Sequence, residues 1–104
     1  MEKSESGNER FLRYKKILLK IIYEELPDCK VYLFGSRARN DYRSGSDIDI
    51  ALDIGTPINS KKLYIIKEKI EETIIPLNVD LVDLSTTKDE FRNEIEKEGI
   101  LWEN

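Results

Sequence analysis

The sequence contains no histidine and a single cysteine, Cys29, among its 104 residues. These shortages exclude an internal disulfide, a histidine-ligated zinc site, and nucleophiles of the Ser-His-Asp or Cys-His type within the chain. Catalysis must therefore use carboxylates, Arg and Lys side chains, hydroxyls and backbone dipoles. Cys29 itself is expected to pack at the start of a strand rather than to react.

Long apolar runs are missing as well. The longest of them, such as residues 31–34, contain four residues, whereas a membrane-spanning helix needs about 20. Residues 1–6 are polar and mixed in charge, so they lack the apolar stretch of a signal peptide. We therefore expect a cytoplasmic protein that makes no contact with a membrane.

The size and charge of the chain limit its organisation and its partners. A chain of 104 residues fits one domain, which we expect to span 1–104 with residues 1–7 flexible. The net charge of −4 argues against extended nucleic-acid binding. Residues 30–46, called the basic island below, are an exception because four basic residues there accompany one acidic residue. Such an island suits a compact anion such as a triphosphate, although a solvated loop explains it equally well.

Hydrophobic periodicity and turn residues predict the order of the elements. The first half contains a helix that follows a capping-box pattern at residues 6–9 and ends at Pro27, and then a strand at 30–34. A loop at 35–46, in which a short helical turn can follow Gly35, leads to a strand at 47–52. The second half contains a helix that ends before Pro76, a strand at 78–84, a helix that follows a second capping box at 87–90 and ends at Gly99, and a final strand at 100–102. This order predicts an α/β (α+β) domain with a mixed sheet and helices on one face.

Two carboxylates share one face of the second predicted strand. Asp47 and Asp49 are two positions apart, so their side chains lie on the same side, about 6–7 Å apart along the strand. Two anions in this arrangement repel each other, so either the face is exposed to solvent or a cation lies between them. Mg²⁺ takes carboxylate oxygens together with phosphate oxygens of a substrate, so the pair suits such a site. An Asp-x-Asp pattern alone is common and weak evidence.

The position of this pair strengthens the metal-site interpretation. Gly35 and Ser36 end the preceding strand, where glycine lets the backbone approach an anion and serine donates through its O–H and N–H. The basic island lies between these residues and Asp47. A backbone that can hold phosphate, cationic side chains and a carboxylate pair are therefore predicted to meet at one edge of the sheet.

The spacing of these residues resembles a known motif. Gly35-Ser36 is followed by ten residues and then by Asp47-Ile48-Asp49. This pattern resembles the GS-x10-D-x-D motif of the polymerase-β-type nucleotidyltransferases, and the chain is most similar to their minimal branch. The resemblance covers residues 30–102 and includes residues 79–82, which are similar to a later strand that carries a third carboxylate. It implies a polymerase-β-like palm fold.

The resemblance also implies a role for each site residue. Asp47 and Asp49 would bind the two Mg²⁺ ions that accompany a nucleoside triphosphate. Asp80 would complete the second metal position and help to deprotonate an acceptor hydroxyl, so that a nucleotidyl group transfers with loss of pyrophosphate. The implied nucleotide-binding residues, of which the first two would hold the β- and γ-phosphates, are Gly35, Ser36, Arg37, Arg39 and Ser46. No histidine is needed, because paired metals can stabilise both oxygens of an in-line displacement.

Asp80 and Asp83 compete for the position of the third carboxylate. They are three positions apart in one strand and therefore point to opposite faces. If Asp83 joined the site, Val79 and Leu81 would turn toward water and Asp80 would be buried alone in the core, which is costly. We therefore predict that Asp80 belongs to the site.

The acceptor is expected to involve a second protein. Only 24 residues follow Asp80, which we expect to be too few to wall a pocket around a base and an acceptor. The resemblance implies a helical partner, either a HEPN-type protein or a substrate-binding subunit, and AMP transfer from ATP to a tyrosine of a HEPN-type toxin. Two alternatives stay open: a two-component enzyme acting on a small molecule such as an aminoglycoside, and an antitoxin that acts by binding alone.

Overall fold

The computed structural model describes residues 7–103 of the chain. Its elements are α1 (Gly7–Glu25), β1 (Lys30–Phe34), α2 (Gly35–Arg39), β2 (Ile48–Asp53), α3 (Ser60–Glu71), β3 (Val79–Asp83), a 3-10 turn (Leu84–Thr86), α4 (Asp89–Glu98) and β4 (Ile100–Glu103). The predicted order of elements is confirmed, including the final strand. The first capping box begins at Ser6, which lies outside the described residues. Most of the segment 1–7, which was expected to be flexible, lies outside them as well. No helix within residues 7–103 is both long and apolar enough to cross a membrane.

In the described part of the chain, four strands form one mixed sheet in the order β3-β2-β1-β4. β1 runs antiparallel to β2 and to β4, and β2 runs parallel to β3. The parallel pair requires a crossover connection, which contains α3. The end of β1 therefore lies beside the starts of β2 and β3, and β3 is an edge strand.

α1 and α3 cover one face of this sheet. Their apolar stripes pack against the side chains that alternate along β1 and β2. The main residues of this core are Tyr14, Leu18, Ile22, Val31, Leu33, Ile48, Ile50, Leu52, Ile66 and Ile70. Since Ile48 and Ile50 face the core, Asp49 between them faces the opposite side, as its strand parity predicts.

α4 packs on that opposite face, where no helix was expected. Its Ile95 is buried together with Ala51 of β2 and with Leu84, against aromatic side chains of β1. The structure therefore differs from the expectation of helices on one face only, while the predicted mixed fold is confirmed. α4 packs on this face because it buries one apolar strip, which includes Ile95, against the part of the face near Ala51. The helix is short, so it covers only that part. Asp49 on the same face remains partly exposed.

Two local signals predicted around α4 act differently in the structure. The Thr87 hydroxyl donates a hydrogen bond to the Asp83 carbonyl oxygen (2.8 Å) and does not cap α4, whose N-cap residue is Lys88. Gly99 ends the helix as predicted, but in an extended conformation. Glycine is required there because a Cβ would collide with the Ile95 carbonyl oxygen.

Candidate active site

The ends of three strands meet at one place in the sheet, where two of the predicted acidic residues lie side by side. Asp49 is in register with Asp80 across the parallel pair, so the two carboxylates lie side by side on one face of the sheet. Asp49 is also in register with Phe34, the last residue of β1, and Gly35 follows immediately. Asp47 lies just before β2 and is exposed. The structure therefore brings Asp49, Asp80 and the Gly35 turn to one place, with Asp47 just before β2.

Gly35 brings the backbone close to the Asp49 carboxylate. Its φ of +73° lies in the left-handed region that glycine adopts without strain. A Cβ at this position would collide with the Asp49 carboxylate. Gly35 and Ser36 also begin α2, and the first N–H groups of a helix have no acceptor within it. The site thus presents main-chain donors beside a pair of carboxylates.

The carboxylates are close enough to perturb one another. Burial raises the pKa of Asp49, and the charge and hydrogen bonding of Asp80 and the charge of Asp47 raise this pKa further. The Arg39 guanidinium lowers the same pKa by a smaller amount. Asp80 also accepts a hydrogen bond from Asn78 Nδ2 (3.3 Å). The site by itself therefore concentrates negative charge, and a bound cation would be favoured.

The chemistry of these donors suits a hard divalent cation. Mg²⁺ prefers oxygen ligands and usually completes its shell with water and phosphate oxygens. Asp49 and Asp80 offer carboxylate oxygens from neighbouring strands, and Asp47, just before β2, is near enough for its charge to raise the pKa of Asp49. Within residues 7–103, no three acidic, histidine or cysteine side chains converge into a metal-binding cluster. The donors are thus a partial set, of the type that Mg²⁺ shares with a phosphate-bearing ligand.

Asp83 has a structural position instead. Its register partner is Leu52, whose side chain lies in the core, so Asp83 faces away from the side that carries Asp80. The Asp83 carboxylate accepts hydrogen bonds from the N–H groups of Ile58 (2.8 Å) and Ser85 (3.0 Å). It therefore ties the loop after β2 to the 3-10 turn. This geometry agrees with the choice of Asp80 for the site.

Arg37, a predicted nucleotide-binding residue, organises the loop between α2 and β2. Its Nε and Nη2 both donate to the Ser46 carbonyl oxygen (3.3 and 3.1 Å), and Nη2 also reaches the Ser44 carbonyl oxygen. The guanidinium lies over the rings of Tyr42 (4.6 Å) and Phe11 (5.0 Å). All of these contacts are with the loop and with α1. The structure therefore places Arg37 where it supports the loop rather than beside the carboxylates.

The other two predicted nucleotide-binding residues are Arg39 and Ser46. Arg39 donates from Nε to Asp41 (3.2 Å), and its Nη1 lies 3.9 Å from Glu98 Oε2. Its side chain is 47% exposed and its charge reaches the Asp49 carboxylate, so Arg39 is placed to meet an anion. Ser46 closes a turn with Arg43 through one main-chain and one side-chain hydrogen bond, each 2.9 Å long.

A groove beside Asp80 was not expected from the sequence. It has a volume of about 490 Å³ and lies beside β3, whose outer edge pairs with no other strand within residues 7–103. Its walls are formed by Lys67 and Glu71 of α3, by residues 75–78, and by the first half of β3; it is called the β3-edge groove below. Because nearly all of these wall residues precede Asp80 in the chain, counting the residues that follow Asp80 could not reveal the groove. The one local signal was Asn78, which shares strand parity with Asp80.

Comparison with known proteins identifies the family. The family model described as "Polymerase beta, Nucleotidyltransferase" matches residues 16–102. This range includes the Gly35 turn and all three carboxylates of the site. The chain therefore belongs to the polymerase β-type nucleotidyltransferase family and is a nucleotidyltransferase, which confirms the resemblance found in its motif.

Individual relatives indicate which kind of nucleotidyltransferase the chain is similar to. The probable protein adenylyltransferase MntA of Haemophilus influenzae is 35% identical over 78% of this chain and 71% of its own length. A chain from the structure of a tri-AMPylated Shewanella oneidensis HEPN toxin with its MNT antitoxin superimposes with a TM-score of 0.66 at 25% identity, covering 89% of this chain and 71% of that one. A chain from a toxin–antitoxin structure with AMP-PNP shares the fold, with a TM-score of 0.72 at 24% identity and coverage of 86% and 73%. The chain is thus similar to minimal nucleotidyltransferases of the MntA type.

Proposed function

We propose that the chain is a protein adenylyltransferase that acts as an antitoxin. With Mg²⁺, it transfers AMP from ATP to a tyrosine hydroxyl of a helical HEPN-type toxin and thereby silences that toxin. The observation that carries this proposal is the Asp49–Asp80 pair, which lies in register beside the Gly35 turn. The similarity to MntA and to a chain found with an AMPylated HEPN toxin supports the choice of nucleotide and of acceptor.

The phosphate end of ATP would bind at the start of α2. The N–H groups of Gly35 and Ser36 and the Ser36 hydroxyl would hold the β- and γ-phosphates, since successive main-chain N–H groups in a turn can bind an anion. Arg39 would offset part of the phosphate charge. Arg37 would act through Ser46, by holding in place the loop that leads to the carboxylates.

Asp47, Asp49 and Asp80 would hold Mg²⁺, with two ions as the expected number. When bound, the metal supplies charge stabilisation at both the attacking and the leaving oxygens. The carboxylates are suited to such a cation because burial and the neighbouring Asp80 raise the pKa of Asp49, an electrostatic strain that a cation relieves.

Asp80 would face the acceptor. Its carboxylate would accept the proton of the tyrosine hydroxyl, and the phenolic oxygen would form a bond to the α-phosphorus of ATP. The bond between that phosphorus and the bridging oxygen to the β-phosphate would break, which releases pyrophosphate. Asp49, on the neighbouring strand, would stay beside the phosphates at the Gly35 turn.

Co-expression with the HEPN-type protein of the adjacent gene tests the proposal. Intact-mass spectrometry should show one or more added AMP groups on that partner when the chain is wild type. Asp47→Asn should abolish the addition while the complex still forms on size-exclusion chromatography.

Other outcomes would favour the alternatives. An unmodified partner, together with AMP transfer to an aminoglycoside by the isolated chain, would favour an enzyme that acts on small molecules. A toxin still silenced by the double variant Asp47→Asn/Asp49→Asn would favour an antitoxin that acts by binding alone.

A further inference from the structure

We infer that the β3-edge groove is the docking site of the acceptor protein: an extended segment of the toxin lies along β3 and delivers its tyrosine to Asp80. This inference rests on the proposed function and adds the surface that recognises the acceptor. Three features of the structure lead to it: the order of the site residues across the sheet, the lining of the groove, and the open edge of β3.

The order of residues across the sheet sets the direction from which the acceptor arrives. Gly35 follows β1, Asp49 lies on β2, and Asp80 lies on β3 at the edge of the sheet. In an in-line displacement the nucleophile enters opposite to the leaving group. If pyrophosphate leaves on the Gly35 side, the hydroxyl enters from the Asp80 side, where the groove lies.

The groove has the size and the lining to bind a peptide segment. Its volume of about 490 Å³ is within the range of known ligand pockets. Lys67 and Glu71, one helical turn apart on α3, line one wall, and both are exposed. Ile74, which precedes the wall formed by residues 75–78, is 68% exposed. The groove thus offers charges of both signs, and an exposed apolar side chain lies next to it in the chain.

β3 also offers main-chain groups to a bound segment. The Asn78 carbonyl oxygen accepts from the Ile48 N–H (2.9 Å) across the parallel pair, so Asn78 and Asp80 direct their main-chain groups to β2. The alternation of a strand then directs the N–H and C=O groups of Val79 and Leu81 to the open edge. An extended peptide can bond to such an edge as an added strand.

A charge reversal on one wall of the groove tests the inference. Lys67→Glu is compared with Lys61→Glu, the same change near the start of α3 and outside the groove, where the lysine is also exposed. Glu71→Lys is a second variant on the groove wall. AMP transfer is measured at varied concentrations of the HEPN-type partner, and ATP affinity is measured separately by calorimetric titration.

We expect both groove variants to raise the KM for the partner about tenfold, the effect of losing one important interface contact. Their kcat and ATP affinity should stay at the wild-type level, and Lys61→Glu should match wild type in every measurement. Thermal unfolding of all three variants should be unchanged, because the substituted lysines and the glutamate are exposed.

The possible failures are distinguishable. If the wild-type chain adds no AMP to the partner, the proposed function itself fails. If the wild type is active and the groove variants leave the KM for the partner unchanged, the acceptor docks elsewhere and only the inference is rejected. A loss of ATP affinity with an unchanged KM for the partner would assign the groove to the nucleoside and would also reject it.

Discussion

At the scale of single residues, Gly35 links backbone conformation to the chemistry of the site. Its positive φ and its approach to the Asp49 carboxylate both favour a residue without a side chain. Gly55 provides a matched comparison, because its φ is +84° and no atom of the described residues lies within 4 Å of the position of its missing Cβ. The two glycines therefore separate the effect of conformation from the effect of collision.

We expect Gly55→Ala to destabilise the protein by about 1 kcal/mol, the penalty of the left-handed conformation alone. Gly35→Ala should destabilise it by more and should abolish ATP binding, because the methyl group displaces the Asp49 carboxylate. Urea unfolding and ATP titration measure the two effects. Equal losses of stability would show that the approach to Asp49 does not constrain Gly35.

Asp49 should reduce the stability of the ligand-free protein. Burial, Asp80 and Asp47 raise the pKa of Asp49 in the folded state. At pH values between the pKa of the unfolded state and that of the folded state, the folded protein therefore binds more protons than the unfolded chain. The contribution of Asp49 to the free energy of unfolding is fully present below the pKa of the unfolded state, and it is lost as the pH rises through the pKa of the folded state.

Asp49→Asn should therefore raise the Tm near neutral pH while it abolishes AMP transfer. The difference in Tm between the variant and the wild type should narrow as the pH falls and Asp49 becomes protonated. Thermal melts over a series of pH values, recorded without nucleotide, measure this difference. A lower Tm for Asp49→Asn near neutral pH would contradict the expected crowding of the carboxylates.

At the scale of elements, the conformation of the loop between α2 and β2 depends on the contacts of one side chain. Arg37 combines two hydrogen bonds to the Ser46 carbonyl oxygen with stacking on Tyr42 and Phe11. A lysine keeps the charge, but it lacks the planar guanidinium that donates two N–H groups to one carbonyl oxygen and stacks on aromatic rings. Lysine substitution therefore distinguishes a positioning role from a role of charge alone.

We expect Arg37→Lys to lower the rate of AMP transfer by about tenfold, nearly as much as Arg37→Ala, because either change loses contacts worth roughly 1–2 kcal/mol. Hydrogen exchange of residues 40–46 should become faster in both variants. Arg43→Lys is the control in the same loop and should stay close to wild type. Near-normal activity of Arg37→Lys would indicate that its charge, and not its geometry, matters.

At the scale of the whole molecule, the site joins the starts of two strands to the helical turn that ends a third. A ligand that binds all of these segments at once should stabilise the entire domain. Ligand present at about 100 times its Kd adds about 2.7 kcal/mol of stability. For a domain of this length, this corresponds to a rise in Tm on the order of 10 °C.

ATP with Mg²⁺ should therefore raise the Tm clearly, as measured by differential scanning fluorimetry. Removal of Mg²⁺ with EDTA should remove most of the shift, because the phosphates would then meet unneutralised carboxylates. Asp47→Asn should have the same effect in the presence of Mg²⁺. A full shift with EDTA present would argue against the proposed metal site.

Much of the fold and of the candidate site could be predicted because it depends on local patterns. The alternation of Ile48 and Ile50 with Asp49 determines which face of β2 meets the core, wherever that strand lies. The same parity separates Asp80 from Asp83, and the structure places them on opposite faces. Glycine at position 35 likewise indicates a special backbone conformation before any contact is known.

Other features were decided only by the tertiary structure, because they arise where distant segments meet. The strip that α4 buries, the rings that receive the Arg37 guanidinium, and the wall that α3 gives to the β3-edge groove all join residues far apart in the chain. Periodicity shows that a helix has an apolar side, but not which surface covers it. The sequence by itself thus determined the elements and the strand face on which each carboxylate lies. The tertiary structure decided which strands are neighbours and what surrounds the carboxylates, since packing depends on the shapes of all segments at once.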